Sequence, residues 1–340
     1  MTLTFDQICS ITTGAAQITQ EENGIVFHRF TAPQENLYKS TGQDGCTKAY
    51  STPGVKLMFR TDSPTLTMRV AVSPGSSRTY FSFDVYVNET LADCLDNFPA
   101  EGLPIPYPKF PCPLGHFSKT IDLGPGIKNV SIAFPWSVAP VLEELSLEDE
   151  ALLEPIKPAR KMVAFGDSIT HGYDAQRPSL RYAAQLAAAL DAEEFNKGIG
   201  GEVFVPPLAK LKEDFVPDFV TVAYGTNDWA KTSLDTFKTN CRSFYSLLSQ
   251  NYPSTPIFAL TPIWRKDRDA VTAVGSFDSV EPLVRELTQD LPNVIVISGA
   301  DLVPKDENYY ADFSLHPNDE GFNHYYHNLY KKIKAELDRF

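Results

Sequence analysis

Hydrophobic and polar residues alternate along short segments in the first half of the chain. The alternation occurs in residues 25–30, 55–60, 66–72, 80–87, 118–123, 128–134 and 142–147. A period of two buries one face of a β-strand and exposes the other, and turns containing Pro and Gly separate the segments. The pattern predicts about seven or eight strands and no amphipathic helix, and therefore an antiparallel β-sandwich of jelly-roll type.

A proline-rich segment, residues 99–113, interrupts this alternation and contains Tyr107 and Phe110. It is excluded as a central strand because proline lacks the amide proton that a sheet requires. Two structures fit the segment: a loop packed against the sandwich, or a flap over a neighbouring site.

Strand-like and helix-like segments alternate after Lys161. Hydrophobic runs predict strands at 162–165, 217–224, 256–260 and 293–297, and a further strand that ends at Asn196. Helical periodicity predicts helices at 180–190, 233–251, 277–290 and 318–338. This order is typical of a parallel sheet with helices on both faces. We therefore predict a β-sandwich accessory domain over 1–155 and an α/β domain over 160–340, joined by the proline-containing linker 157–160.

Composition and charge exclude several classes of partner. Of the 340 residues, 43% are hydrophobic and 21% are charged, as in ordinary globular proteins. The formal net charge of -13 argues against nucleic acid or an anionic membrane as a partner. The N-terminal segment has no signal-peptide pattern, and no hydrophobic run approaches the ~20 residues that span a bilayer. The five cysteines are scattered without CxxC spacing, which favours free thiols, no zinc site and a cytoplasmic protein.

Polar residues follow several of the predicted parallel strands. Ser168 lies in Gly-Asp-Ser after the first strand, and Gly201 ends Asn-Lys-Gly-Ile-Gly-Gly after the second. Asn227 lies in Gly-Thr-Asn-Asp after the third strand, and His316 precedes the last helix. Because carboxyl ends of parallel strands share one edge of a sheet, we expect these residues to meet there. Hydroxyl, amide and imidazole groups together are the parts that acyl transfer requires.

Each residue has a chemical role in that reaction and a structural alternative. Ser168 is the candidate nucleophile and His316 the candidate base, with a cap on the last helix as the alternative for His316. Asp312, four positions before His316, either orients the imidazole or is an exposed loop carboxylate. The Ser168 amide, the Gly201 amide and the Asn227 side chain are the candidate oxyanion hole. The alternatives are a tight turn at Gly201 and a helix cap at Asn227.

Four further residues are predicted to line the substrate pocket: His171, Trp229, Trp264 and Arg265. His171 fits packing inside its turn equally well, and the two tryptophans also fit core packing. Aromatic faces at a pocket rim suit sugar rings or an acyl chain. The sequence has no long apolar lid segment, which favours short acyl groups, acetate first.

The four blocks, in this order, resemble the SGNH (GDSL-type) hydrolase superfamily of esterases and lipases. The resemblance covers 162–340 and implies two-step serine ester hydrolysis in a catalytic domain that needs no metal or organic cofactor. The family usually places its acid three residues before the histidine, where this chain has Phe313. Either the loop carries an extra residue and Asp312 still serves, or a backbone carbonyl holds the imidazole.

The whole chain is similar in architecture to two-domain carbohydrate esterases that have an N-terminal sandwich and remove acetyl groups from xylan or other glycans. This resemblance implies an oligosaccharide or other small-molecule ester as the substrate. Two alternatives stay open: a lysophospholipase or thioesterase using the same residues, and a glycan-binding protein with weak catalysis. The oligomeric state also stays open, a homo-oligomer included.

Overall fold

Antiparallel strands build the first half of the chain, as the alternating pattern predicts. The computed structural model describes residues 1–339. In the longer strands every second side chain is buried, for example at Leu66, Met68 and Val70. The strands of this half are β1 Thr12–Thr13, β2 Gln17–Glu21, β3 Gly24–His28, β4 Lys56–Thr61, β5 Thr65–Pro74, β6 Ser82–Val87, β7 Thr90–Asp96, β8 Gly115–Asp122, β9 Lys128–Ala133, β10 Val138–Leu147 and β11 Glu154–Pro155.

These strands form two antiparallel sheets that pack together as a β-sandwich. One sheet has the order β1-β4-β9-β6-β7, with β11 paired to β4, and the other has the order β2-β3-β10-β5-β8. Leu57 and Phe59 of β4 share one buried hydrophobic core with Val70 of β5. The predicted sandwich is therefore confirmed, while its jelly-roll type stays a prediction.

Three short helices correct the expectation that the first half contains no helix. They are α1 Phe5–Ile11, α2 Ala32–Thr41 and α3 Gln43–Ala49. At the start of α1 the Gln7 amide donates to Thr4 Oγ1, and the Thr4 amide donates to Gln7 Oε1. At α2 the Thr31 amide donates to Gln34 Oε1 in the same way. Each helix has at most 10 residues, so its cap is a stronger signal than its periodicity.

A parallel sheet with helices on both faces forms the second half, which confirms the predicted fold class. The strands are β12 Arg160–Gly166, β13 Ala192–Asn196, β14 Phe219–Ala223, β15 Ile257–Leu260, the hairpin strands β16 Val271–Thr272 and β17 Gly275–Ser276, and β18 Val294–Ile297. The helices are α4 Ser168–His171, α5 Tyr182–Ala189, α6 Pro206–Lys210, α7 Thr226–Lys231, α8 Leu234–Asn251, α9 Val280–Thr288 and α10 Asp319–Leu337. The parallel sheet has the order β13-β12-β14-β15-β18. Helices α4, α6 and α7 were not predicted because they are too short to show a period.

Strand β12 supplies side chains to a hydrophobic core on each face of the parallel sheet. Val163 and Phe165 point into the core that contains Phe244 of α8. Met162 and Ala164 point into the core that contains Tyr182 of α5. A strand buried on both faces reads as a continuous hydrophobic run, which is why residues 162–165 predicted it.

Buried polar contacts join the two halves of the chain. Arg29, which has no exposed surface, donates to the backbone carbonyls of Asn196 (3.0 Å) and Gly198 (2.7 Å). The ion pair of Lys197 with Glu213 (3.0 Å) is also buried, and α2 supplies a hydrogen bond to it from Gln34 to Glu213 (2.8 Å). The first half is therefore packed into the second, and the division at 155–160 stays a proposal.

The proline-rich segment packs between the two halves. Tyr107 is 3% exposed and shares a buried cluster with Tyr80 of the first half and Tyr173 of the second. Its hydroxyl donates to the backbone carbonyl of Asp174 (2.7 Å). The packed alternative thus describes this segment. All five cysteines are free, and none of the helices within residues 1–339 is long and apolar enough to cross a membrane.

Candidate active site

Ser168 lies where strand β12 turns into helix α4, at the carboxyl edge of the parallel sheet. β12 ends at Gly166, and Asp167 caps α4 by accepting a hydrogen bond from the Ile169 amide (3.0 Å). Glycine is required at 166 because an added Cβ would lie 2.2 Å from Thr170 Oγ1. Burial raises the pKa of Asp167 to about 7. This tight turn fixes the position of the Ser168 hydroxyl.

The imidazole of His316 lies against that hydroxyl. His316 Nε2 is 2.9 Å from Ser168 Oγ, although the two residues are 148 positions apart. The following helix, α10, is capped by Asn318, whose side chain accepts a hydrogen bond from the Gly321 amide (2.9 Å). His316 is therefore not the cap of the last helix.

The carboxylate of Asp312 holds the other nitrogen of His316. Asp312 Oδ2 is 2.7 Å from His316 Nδ1, and Oδ1 accepts hydrogen bonds from the amides of Ser314, Leu315 and His316. Burial acts to raise the pKa of Asp312, but the hydrogen bonds from His316 and these amides outweigh it and hold the pKa well below its usual range. Asp312 is thus an ionised carboxylate that contacts the imidazole, not a free loop residue.

Phe313 explains how an acid four positions before the histidine reaches it. This residue has φ +55°, a left-handed conformation that bulky side chains rarely adopt. With this backbone conformation Asp312 lies within reach of His316 Nδ1 (2.7 Å). Of the two alternatives left open by the spacing, the structure has Asp312, and not a backbone carbonyl, against the imidazole.

A second carboxylate near His316 was missed in the sequence. Asp174 Oδ2 lies 3.4 Å from His316 Nδ1, and Arg78 of the first half forms an ion pair with Asp174 (2.7 Å). The position of Asp174, six residues after Ser168, is visible in the sequence. Its pairing with Arg78 is not, because it depends on how the two halves pack.

Two backbone amides, those of Ser168 and Gly201, are the candidates for binding a developing oxyanion. In the part of the chain that the structure describes, neither the Ser168 amide nor the Gly201 amide has a hydrogen-bond acceptor. Gly201 has φ +86°, which favours glycine, and an added Cβ would meet only Lys231 Nζ at 3.5 Å. Its glycine is therefore required by conformation more than by space.

Cations bind the carbonyl groups of the loop that contains Gly201. Lys48 Nζ donates to the carbonyl of Gly200 (2.9 Å), and Lys231 Nζ donates to the carbonyl of Gly201 (2.8 Å). Arg29 holds two earlier carbonyls of the same loop. These contacts occupy the carbonyl oxygens of residues 196, 198, 200 and 201. The amides of residues 197, 198, 199 and 202 donate to acceptors within the fold, whereas the Gly201 amide has no such acceptor in the described residues.

Asn227 lies in the first turn of α7, beside the same loop. Its Nδ2 donates one hydrogen bond to the carbonyl of Glu202 (3.0 Å), and the amide group has a second proton. The N-terminus of α7 is held by Asp228, which accepts from the amides of Gly225 (3.1 Å) and Phe204 (3.0 Å). Asp228 therefore performs the capping that was the alternative for Asn227. Burial raises the pKa of Asp228 to about 6.

The sequence of this region matches a known family. Residues 164–323 match the family described as GDSL-like lipase/acylhydrolase. The second half of the chain is a GDSL-like acylhydrolase domain. This agrees with the resemblance of the four sequence blocks. A search of curated proteins found no match to the chain.

Solved structures share the architecture of the whole chain, sandwich included. The salicylyl-acyltransferase SsfX3 of a tetracycline biosynthetic pathway has a TM-score of 0.75 and 22% identity, over 95% of this chain and 94% of its own. A family two carbohydrate esterase of Clostridium thermocellum, solved with cellohexaose, has a TM-score of 0.66 and 15% identity, over 96% and 99%. A family two carbohydrate esterase of Cellvibrio japonicus has a TM-score of 0.64 and 17% identity, over 97% and 96%. At these identities the comparison establishes a common fold.

Three of the residues expected to line a pocket of the GDSL-like domain are buried, which corrects that expectation. His171 has no exposed surface, and its Nε2 lies 2.9 Å from both Ser51 Oγ and the Trp136 carbonyl. Trp229 is 1% exposed, and the guanidinium of Arg265 lies 4.7 Å from the centre of its ring. Arg265 is 8% exposed. Arg265 donates to the Thr226 carbonyl (2.9 Å) and Trp229 to the Gly275 carbonyl (3.0 Å), so these side chains hold neighbouring loops.

Trp264 is the partly exposed member of that set. Its ring packs against Tyr310 at 4.9 Å between centroids. Trp264 also lines a cavity of about 100 Å³ with Thr261 and Phe277, at the carboxyl edge of the sheet. Contact of Trp264 with a substrate stays a prediction.

Within residues 160–339, one group of side chains has the chemistry of metal ligands. Ligand atoms of Asp174, Asp312 and His316 lie within 4.8 Å of one another. Each already has a hydrogen-bond partner: Asp312 and His316 share a hydrogen bond, and Arg78 neutralises Asp174. The arrangement fits a hydrogen-bonded chain that ends at Ser168.

Proposed function

We propose that the protein hydrolyses short-chain esters with Ser168 as the nucleophile. The observation that carries this proposal is the continuous chain from Asp312 Oδ2 to His316 Nδ1 (2.7 Å) and from His316 Nε2 to Ser168 Oγ (2.9 Å). A serine within hydrogen-bond reach of a base, which is itself oriented by a third group, is the arrangement that nucleophilic acyl transfer requires.

The electrostatics of Asp312 set the direction of proton transfer. Because its pKa is held well below the usual range, Asp312 is ionised at neutral pH and only accepts hydrogen bonds. The proton between it and His316 therefore belongs to Nδ1, which leaves the lone pair on Nε2. Nε2 accepts the Ser168 proton as Oγ attacks the ester carbonyl, and His316 then protonates the departing alcohol.

The tetrahedral oxyanion is bound by the amides of Ser168 and Gly201 and by the free proton of Asn227 Nδ2. An acyl-enzyme ester on Ser168 Oγ then remains. Water attacks it with His316 again as the base, which releases the carboxylic acid and restores the hydroxyl.

The substrate we propose is a carbohydrate or similar small molecule that carries acetyl groups. The carbohydrate esterases among the structural neighbours support this class, and one of them was solved with cellohexaose. We propose a short acyl group because the sequence has no long apolar segment that could cover a long acyl chain.

Labelling and hydrolysis test the proposal. A fluorophosphonate probe should label the wild-type protein at Ser168, and Ser168→Ala should abolish labelling and lower ester hydrolysis by about 10⁴-fold or more. Ser249→Ala, which removes a serine on α8 that bonds Asn293, is the matched control and should keep both properties. Release of acetate from acetylated xylooligosaccharides and a series of p-nitrophenyl esters then defines the substrate.

The outcomes separate the alternatives. Rates that fall with acyl length support an acetylesterase, whereas rates that rise indicate a lysophospholipase or thioesterase at the same residues. Oligosaccharide binding without labelling at Ser168 indicates a glycan-binding protein and overturns the proposal.

A further inference from the structure

A second carboxylate lies beside the nitrogen of His316 that Asp312 contacts. Asp174 Oδ2 is 3.4 Å from His316 Nδ1, and Asp312 Oδ2 is 2.7 Å from the same atom. The Asp174 side chain has no exposed surface, whereas 26% of the Asp312 side chain is exposed. The imidazole therefore faces one acid in its own loop and another in the turn that follows α4.

Arg78 of the sandwich holds Asp174 in this position. Its Nε donates to Asp174 Oδ1 (2.7 Å) and its Nη2 donates to Oδ2 (3.0 Å). The hydroxyl of Tyr80 donates to Oδ1 (3.2 Å). Two parallel hydrogen bonds from a guanidinium fix the plane of the carboxylate, so the direction of Oδ2 toward His316 is set by the first half of the chain.

The backbone at Asp174 is fixed by the first half as well. Tyr107 donates to the carbonyl of Asp174 (2.7 Å), and the indole of Trp136 donates to the carbonyl of Ala175 (2.9 Å). Asp174 has φ +72°, a left-handed conformation that aspartate adopts more readily than most residues. Side chain and backbone are thus both held from the sandwich side.

Asp84 is a second buried aspartate between the two halves, and it can be compared with Asp174. Asp84 of β6 is also fully buried, pairs with Arg177 across the interface (3.4 Å) and accepts a hydrogen bond from the Ser179 amide. Asp84 and Asp174 therefore both join the halves. Of these two aspartates, Asp174 alone has an oxygen near the imidazole of His316. An aspartate can therefore join the halves without this contact.

We propose that Asp174 is a positioning residue of the active site, held by Arg78 as the second acceptor for the Nδ1 proton of His316. This rests on the hydrolase function proposed above. Two acceptors restrict rotation of the imidazole, and both are near the positive charge that forms when His316 takes the proton of Ser168. Asp174 takes over the hydrogen bond when Asp312 is absent.

Asparagine substitutions at the two positions, alone and together, test this role. Loss of the orienting aspartate from a triad that has one acid lowers kcat by about 10⁴-fold. If Asp174 can accept the same hydrogen bond, kcat should fall only about 10- to 100-fold in Asp312→Asn and about 3- to 10-fold in Asp174→Asn. KM should be unchanged in both. The double variant should lose about 10⁴-fold, which is more than the product of the single losses.

The controls distinguish positioning from stability. Asp84→Asn removes the comparable buried acid. The fold-loss in kcat of the Asp84→Asn, Asp312→Asn double variant should equal the product of the two single fold-losses. Arg78→Lys should keep part of the kcat that Arg78→Met loses, because lysine retains the charge but not the two-bond geometry. Thermal unfolding of each variant shows whether it is folded at the assay temperature.

Proton NMR provides a readout that requires no substitution at Asp174. A low-field resonance of the His316 Nδ1 proton should persist in Asp312→Asn, because Asp174 then accepts the hydrogen bond. Absence of that resonance from Asp312→Asn, when the wild-type protein shows it, overturns the proposal.

The remaining outcomes separate the two proposals. Wild-type protein that is not labelled at Ser168 overturns the hydrolase function and this role together. Labelled wild-type protein in which Asp312→Asn alone loses about 10⁴-fold, or in which the two losses multiply, overturns only the role of Asp174.

Discussion

Replacement of Asn227 by alanine tests whether its amide binds the oxyanion. The side chain donates one proton to the Glu202 carbonyl (3.0 Å), so only the second is available to a substrate. Loss of one oxyanion donor raises the barrier by about 2.7–4 kcal/mol, so Asn227→Ala should lower kcat by about 10²- to 10³-fold. KM should change little, because the interaction exists in the transition state and not in the bound substrate.

Asn227→Ala also has a structural cost, which the assay has to separate. The part-buried Glu202 carbonyl loses its partner, and an unpaired acceptor costs up to about 1–3 kcal/mol when it is fully buried. Asn293→Ala is the matched control, because Asn293 is a buried asparagine that donates to the carbonyls of Tyr252 and Thr255 (both 2.9 Å). Its free energy of unfolding should fall comparably while kcat stays near the wild-type value.

The measurement is kcat and KM for p-nitrophenyl acetate, with active protein counted by fluorophosphonate labelling. Asn227→Asp provides a second test, since a carboxylate of the same size repels the oxyanion and should be slower than Asn227→Ala. A kcat of Asn227→Ala within about threefold of wild type, or an equal loss in Asn293→Ala, would refute the assignment.

Three further predictions concern stability. Lys197→Met leaves the charge of Glu213 buried and unpaired, so urea denaturation should show a loss of about 3–5 kcal/mol. Lys197→Met with Glu213→Gln should restore part of it, because glutamine is uncharged and still accepts the hydrogen bond of Gln34. Burial raises the pKa of Glu202 from 4.5 to about 8. The stability that the protonated carboxyl contributes is therefore complete below pH 4.5 and disappears as the pH rises to 8. Glu202→Gln should flatten the pH dependence of the free energy of unfolding between these values. Residues 160–340 expressed alone should show no cooperative thermal unfolding by circular dichroism, because the contacts of Arg29 are lost.

The secondary structure followed from the sequence wherever a local pattern is long enough. The alternation at 66–72 and the run at 162–165 each fix a strand, because burial of one or both faces leaves a periodic signal. The helix at 32–41 lacks such a signal. Its capping-box residues Thr31 and Gln34 were visible in the sequence, so caps would have been the better guide there.

The order of the strands predicted where the candidate site lies. It did not predict which side chains of the other half contact that site. Ser168 and His316 were expected to meet because carboxyl ends of parallel strands share an edge. The burial of His171 depends on Ser51 and on the Trp136 carbonyl, which belong to the other half of the chain. Contacts of this range have no local sequence pattern, and the same is true of Arg78 with its aspartate.

The pair of Arg78 and Asp174 has an evolutionary consequence. One partner is encoded in each half of the gene, and a recombination that replaced the sandwich without its guanidinium would leave a buried carboxylate uncompensated, at a cost of about 3–5 kcal/mol. We therefore expect substitutions at positions 78 and 174 to be correlated among relatives. Exchange of the sandwich between relatives by protein engineering requires the same pair to be matched.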